Sequence, residues 1–154
     1  HYRIAKFLQR LDGMRRKSTK ELNRELSAAP DWNRFLENNR EQFQETGFLD
    51  YLLKLFQDAG ISKVTLAKRA ETSEIYLYQI FSGARMPSRD RVLCLSFGLP
   101  ATLAQTQELL RIGGMAQLYP KNKRDAIIIY GLTHGQTLPQ VNELLFGESK
   151  ETLG

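Results

Sequence analysis

Side chains able to bind a metal or attack a substrate are scarce. Cys94, His1 and His134 are the whole thiol and imidazole complement. One thiol and two distant imidazoles cannot close a structural zinc site, which needs four ligands. No Walker A sequence, H-E-x-x-H or G-x-S-x-G occurs, and no acidic pair stands apart from the rest. The expectation is a protein that is not an enzyme and needs no metal or cofactor. Cys94 falls in the apolar pattern Val92, Leu93, Leu95, Phe97, the setting of a small buried hydrophobe rather than a redox sensor. His134 precedes Gly135 at a predicted helix end, where a capping role fits better than catalysis.

What remains is recognition chemistry, and a spacing carries it. Two short helices are predicted at Lys63–Ala70 and Glu74–Phe81, joined by Glu71-Thr72-Ser73. That is helix-turn-helix spacing. Leu66, Ala67 and Ala70 give the first helix its inner face, and Leu77 and Ile80 the second. Ala67 is small enough to let the two helices cross closely. The second helix then keeps an outer face free, and a helix of that diameter fits the major groove of DNA, where base edges are distinguishable. From Ile61 to Leu93 there are six basic and three acidic residues, so +3 of the formal net charge of +5 lies around this pair.

The stretch from Gly60-Ile61-Ser62-Lys63 through Leu66-Ala67 and the turn to Ser82-Gly83 resembles the phage-repressor (Cro/C1, xenobiotic-response-element type) helix-turn-helix family. Pro87, the helix Arg89–Phe97 and Leu99 also fit, and the resemblance covers about residues 48–112. It implies a five-helix DNA-binding domain whose second motif helix reads bases. The implied base-reading residues are Glu74, Ile75, Tyr78 and Gln79. Gln79 suits a bidentate contact with adenine, Ile75 a thymine methyl, and Glu74 cytosine N4. A plain charge at the helix N-terminus is the other reading of Glu74. Lys63, Tyr76, Ser82, Arg85, Ser88 and Arg89 are the implied phosphate contacts, and one of Tyr76 and Tyr78 can instead pack on a neighbouring helix. Glu71 stands where the family usually has glycine. A left-handed residue there costs about 1 kcal/mol.

The elements that must position these residues are helical throughout, with no strand pattern. Ile4, Phe7, Leu8 and Leu11 suggest one amphipathic helix, ended by Asp12-Gly13. Ser18 and Glu21 have capping-box spacing, and Ala29-Pro30 closes the helix they start. Asp31 caps a helix bearing Trp32, Phe35, Leu36 and Phe43. Phe48–Ala59 carries a wide apolar stripe and stops at Gly60. Thr102 and Gln105 open a helix running to Ile112. Two more helices are predicted in the tail, Lys121–Thr133 and one capped by Thr137.

The predicted fold is all-α, in three parts. Residues 1–47 form a helical N-terminal arm, 48–114 the five-helix repressor-like domain, and 115–154 a two-helix C-terminal extension. The chain opens on His1 rather than Met, so it is expected to be a piece whose first 17 residues carry less weight. Arg15-Arg16-Lys17 reads as a solvated linker, or with Ser18 as a pattern that basophilic kinases accept. The longest apolar run, Ala126–Tyr130, is far shorter than a membrane span of about 20 residues. No secretory pattern opens the chain, so a cytoplasmic protein with no membrane partner is expected. The expected partner is double-stranded DNA, bound as a homodimer by a transcriptional regulator. The alternative is an antitoxin-type or adaptor module gripping a protein partner with its arm or tail. Ile127–Ile129 and Val141–Phe146 supply the tail's apolar surface, and the tail is neutral, with four basic and four acidic residues.

Overall fold

The computed structural model describes residues 17–43 and 47–154, and every regular element among them is helical. The helix expected around Ile4–Leu11 and the cations Arg15 and Arg16 lie outside the described residues. Two compact units divide the chain, residues 1–46 and 47–154.

The first unit contains α1 (Thr19–Ala28), α2 (Trp32–Asn39) and a 3₁₀ turn, Arg40–Phe43. The Ser18 hydroxyl accepts from the Glu21 amide, and the Asp31 carboxylate accepts from the Arg34 amide, satisfying donors that each helix start leaves bare. The Lys17 ammonium donates to Glu25 Oε1 and Asn39 Oδ1, both at 2.7 Å, and so ties α1 to α2. Phe35 and Asn39 are buried. Trp32 leans on Phe35 and keeps 59% of its surface exposed.

The second unit holds seven helices: α3 (Phe48–Ala59), α4 (Lys63–Arg69), α5 (Glu74–Phe81), α6 (Arg89–Gly98), α7 (Leu103–Ile112), α8 (Lys123–Thr133) and α9 (Leu138–Gly147). Ser62, Ser73, Ser88, Thr102, Asn122 and Thr137 cap six of them, each accepting from the amide three residues on. Thr102 with Gln105, and Thr137 with Gln140, form full capping boxes. α6 is the hub, since residues 92–99 are all buried, and α4, α7 and α9 pack against it. A Cβ on Gly98 would come within 2.8 Å of Leu66 Cδ1 and 3.2 Å of the Ala70 amide. Gly98 thus lets α6 approach α4 closely, and Ala67, on the face of α4 expected to meet α5, is buried.

The tail belongs to the same unit. Leu118, Ile128, Leu138, Val141, Leu145 and Leu153 share one apolar core with Leu52, Leu66, Leu77 and Leu93. Each such side chain contributes about 1.5–3 kcal/mol when fully buried. Two amide side chains fasten irregular segments to helices. Gln107 brackets the backbone of Leu118 at 2.7 and 2.9 Å, and Asn142 brackets that of Leu153 at 2.7 and 3.0 Å. α8 begins at Lys123, two residues later than expected, because Asn122 and not an earlier residue caps it.

Candidate nucleic-acid interface

α5 is anchored on one side by Leu77 and Ile80, both buried, and capped by the Ser73 hydroxyl. The turn before it bends at Glu71, whose φ of 52° is left-handed. The amide of Thr72 reaches back to the Ala67 carbonyl at 2.9 Å and closes the turn. This leaves the opposite side of α5 in solvent. Ile75 is 73% exposed and Tyr78 65% exposed, the reverse of what burial would dictate for side chains of their size. Glu74 is exposed as well, and Gln79 lies half-buried beside them. Lys63, Glu74, Ile75 and Tyr78 together line a shallow concavity of about 310 Å³. Three of the four residues expected to read bases therefore meet one expected phosphate contact.

Cations stand at two places near α5. Lys63 starts α4 with its ammonium 5.9 Å from the centre of the Phe81 ring. Tyr76 is half-buried, with the guanidinium carbons of Arg85 and Arg91 at 5.3 and 5.4 Å from its ring centre. The ring holds two cations by cation–π attraction next to the exposed face of α5. Lys63, Arg85 and Arg91 make no ion pair among the described residues. Ser82 is exposed, and its hydroxyl donates to the Gln79 carbonyl at 3.1 Å. Ser88 is exposed too, with its oxygen accepting from the Arg91 amide as the cap of α6.

Arg89 departs from expectation. Its guanidinium grips Asp125 through both terminal nitrogens, at 3.3 and 3.1 Å, and donates to the carbonyls of Ala116 and Gln117. Those bonds occupy its donors inside the unit, so the residue is a brace between α6 and α8 rather than a free cation. Asp90 and Arg124 repeat the arrangement one residue along each helix, at 3.0 Å. The Asp90 hydrogen bond also holds the Arg124 guanidinium above its ordinary range. Arg91 is the cation that sequence reasoning passed over. Its position three residues after Ser88 signalled only a helix start; its partner Tyr76 is a tertiary neighbour.

The reactive groups lie elsewhere and are quiet. Cys94 is buried, and burial pushes its thiol up to about 11, which keeps it protonated. His134 is the C-cap of α8, its Nδ1 2.9 Å from the Tyr130 carbonyl and its ring stacked on Tyr130 at 3.9 Å. Among the described residues no helix is long and apolar enough to cross a membrane. No family model, curated protein or solved structure matches the chain.

Proposed function

We propose that this protein binds double-stranded DNA sequence-specifically, with α5 in the major groove, as a transcriptional regulator. The observation that carries the reading is the outward face of α5. Ile75 and Tyr78 stand in solvent there beside Gln79, flanked by Lys63, Arg85 and Arg91, which lack carboxylate partners among the described residues. An apolar and amide-bearing surface fringed by cations suits base edges with phosphates on either side. The helices α3–α7 are read as the repressor-like five-helix arrangement. So few cations give weak binding from one copy, so the active form is a dimer on two half-sites.

Selection from random duplexes tests this. The expected result is an enriched sequence, bound more weakly as salt rises. Binding no stronger than that of a protein of matched charge, with no enriched sequence, overturns it. Phe146, 80% exposed on α9, favours a second reading for the tail, as a face for another copy or a protein partner. Light scattering of the wild-type chain and Phe146→Ser separates these: loss of a dimer assigns the face to self-association, and capture of a distinct polypeptide assigns it to a partner.

A further inference from the structure

A second concavity lies on the same unit and shares no lining residue with the one at α5. It has a volume of about 870 Å³ and is walled by α4 on one side and the α8–α9 turn on the other. That is within the range of small-molecule sites, about 300–1,000 Å³. Val64, Phe97, Pro100 and Leu138 give it an apolar body. Lys68 and Arg69, in the last turn of α4, stand at it as exposed cations with no ion pair among the described residues. The third feature is Gln136. Its side-chain oxygen is buried and accepts no hydrogen bond, the only such side-chain atom among the described residues. An unsatisfied buried acceptor costs about 1–3 kcal/mol.

We propose that this cleft binds a small amphipathic organic anion: an aromatic or branched apolar body and an acidic group. The acidic group pairs with Lys68 and Arg69, where charge-assisted bonds are the strong ones. The body lies on Val64, Phe97 and Leu138, beside Gln136, which also lines the cleft. Neither cation has a carboxylate to leave before a ligand engages it. The inference is independent of DNA binding, because it uses none of the residues on the outward face of α5.

The probe is 8-anilinonaphthalene-1-sulfonate, which carries an aromatic body, a sulfonate and an N–H. Titration of the intact chain should give saturable one-site fluorescence. N-phenyl-1-naphthylamine, which keeps the N–H and lacks the sulfonate, should bind at least about ten-fold more weakly, as loss of one charge-assisted contact predicts. The Lys68→Ala, Arg69→Ala double variant should lose a similar factor. Val64→Trp, at a site 58% exposed and so tolerant of a larger side chain, should block the cleft. Tyr119→Ser, at an exposed ring that does not line the cleft, should bind like wild type, and melting curves should confirm that each variant is folded. Non-saturable fluorescence, equal affinity for the two probes, loss of binding in folded Tyr119→Ser, or full binding in folded Val64→Trp each overturns the proposal.

Discussion

At the scale of single residues, two arginines two positions apart have opposite roles. Arg91 keeps its charge available against Tyr76, while Arg89 spends its donors on Asp125 and two carbonyls. The Asp125 side chain is 10% exposed, and it also accepts from the Tyr119 amide at 3.0 Å. Arg89→Ala strands that carboxylate. The expected outcome is a loss of about 2–4 kcal/mol in urea denaturation, below the full cost for a deeply buried pair because Arg89 is partly solvated. The salt slope of any DNA affinity should stay unchanged. On the proposed DNA reading, Lys63→Ala should do the converse, weakening all sequences alike and lowering that slope by about 1. Gln79→Ala should cost about 1–3 kcal/mol on the preferred sequence and relax one base position. Competition binding at several salt concentrations checks all three. Cys94 gives a prediction in pH. Its folded thiol lies at about 11, above the ordinary value of 9.0. The unfolded thiol therefore ionises first, so its contribution to stability is complete below about 9 and is lost as pH rises towards about 11. Burial raises the Tyr51 phenol as well, with the same sign, so the measurement is the difference in urea midpoint between wild type and Cys94→Ala across that window. A difference that stays flat from pH 8 to 11 would refute the assignment.

At the scale of elements, the turn between α4 and α5 carries strain that can be removed. Glu71 sits at φ 52°. A left-handed L-residue costs about 1–2 kcal/mol, and glycine escapes that but adds about 0.4–1 kcal/mol of unfolded-chain entropy. Glu71→Gly should thus raise stability by about 0.5–1 kcal/mol, read from the urea midpoint. A destabilised variant would mean that the Glu71 side chain contributes more than its backbone costs. This turn was legible in the sequence, because the spacing put a three-residue link at Glu71-Thr72-Ser73, and the resemblance marked Glu71 as the position where the family usually has glycine. So were the helix starts, since Ser, Thr and Asp caps act on an amide three residues away. The helix pairings were less legible. Gly98 accepts Leu66 and Ala70 from across the core, and no local pattern distinguishes that glycine from one ending a helix. Arg89 with Asp125, Arg124 with Asp90, and Arg91 with Tyr76 join residues far apart in the chain. Types and spacing place such residues on a helix face, but only packing decides whether a cation meets a carboxylate, a ring or water.

At the scale of the whole second unit, the tail is structural material for the helix pair. Ile128 on α8 is fully buried in the core that also holds Leu66 of α4 and Leu77 of α5. α9 closes over α6 and α8, with Val141 against Gly131, where an added Cβ would meet Val141 Cγ2 at 2.9 Å. The Arg89–Asp125 and Arg124–Asp90 pairs pin the start of α8 to the start of α6, and α6 carries the close crossing with α4. Ile128→Ala should therefore cost about 2–5 kcal/mol, the range for a large aliphatic removed from a packed core. The more discriminating readout is where the cost appears. If residues 47–154 unfold as one cooperative body, the amides of α5 that exchange through global unfolding lose protection by the same free energy as those of α8, although Ile128 lies on a different helix. If the tail opens by itself, α8 and α9 exchange faster and α5 keeps wild-type protection. The shared core and the paired helix starts predict the first outcome. It would make the orientation of Ile75, Tyr78 and Gln79 depend on a segment that carries no net charge of its own. The +3 carried by residues 61–93 would then be presented beside α5 only because a neutral tail holds the helices beneath it in place.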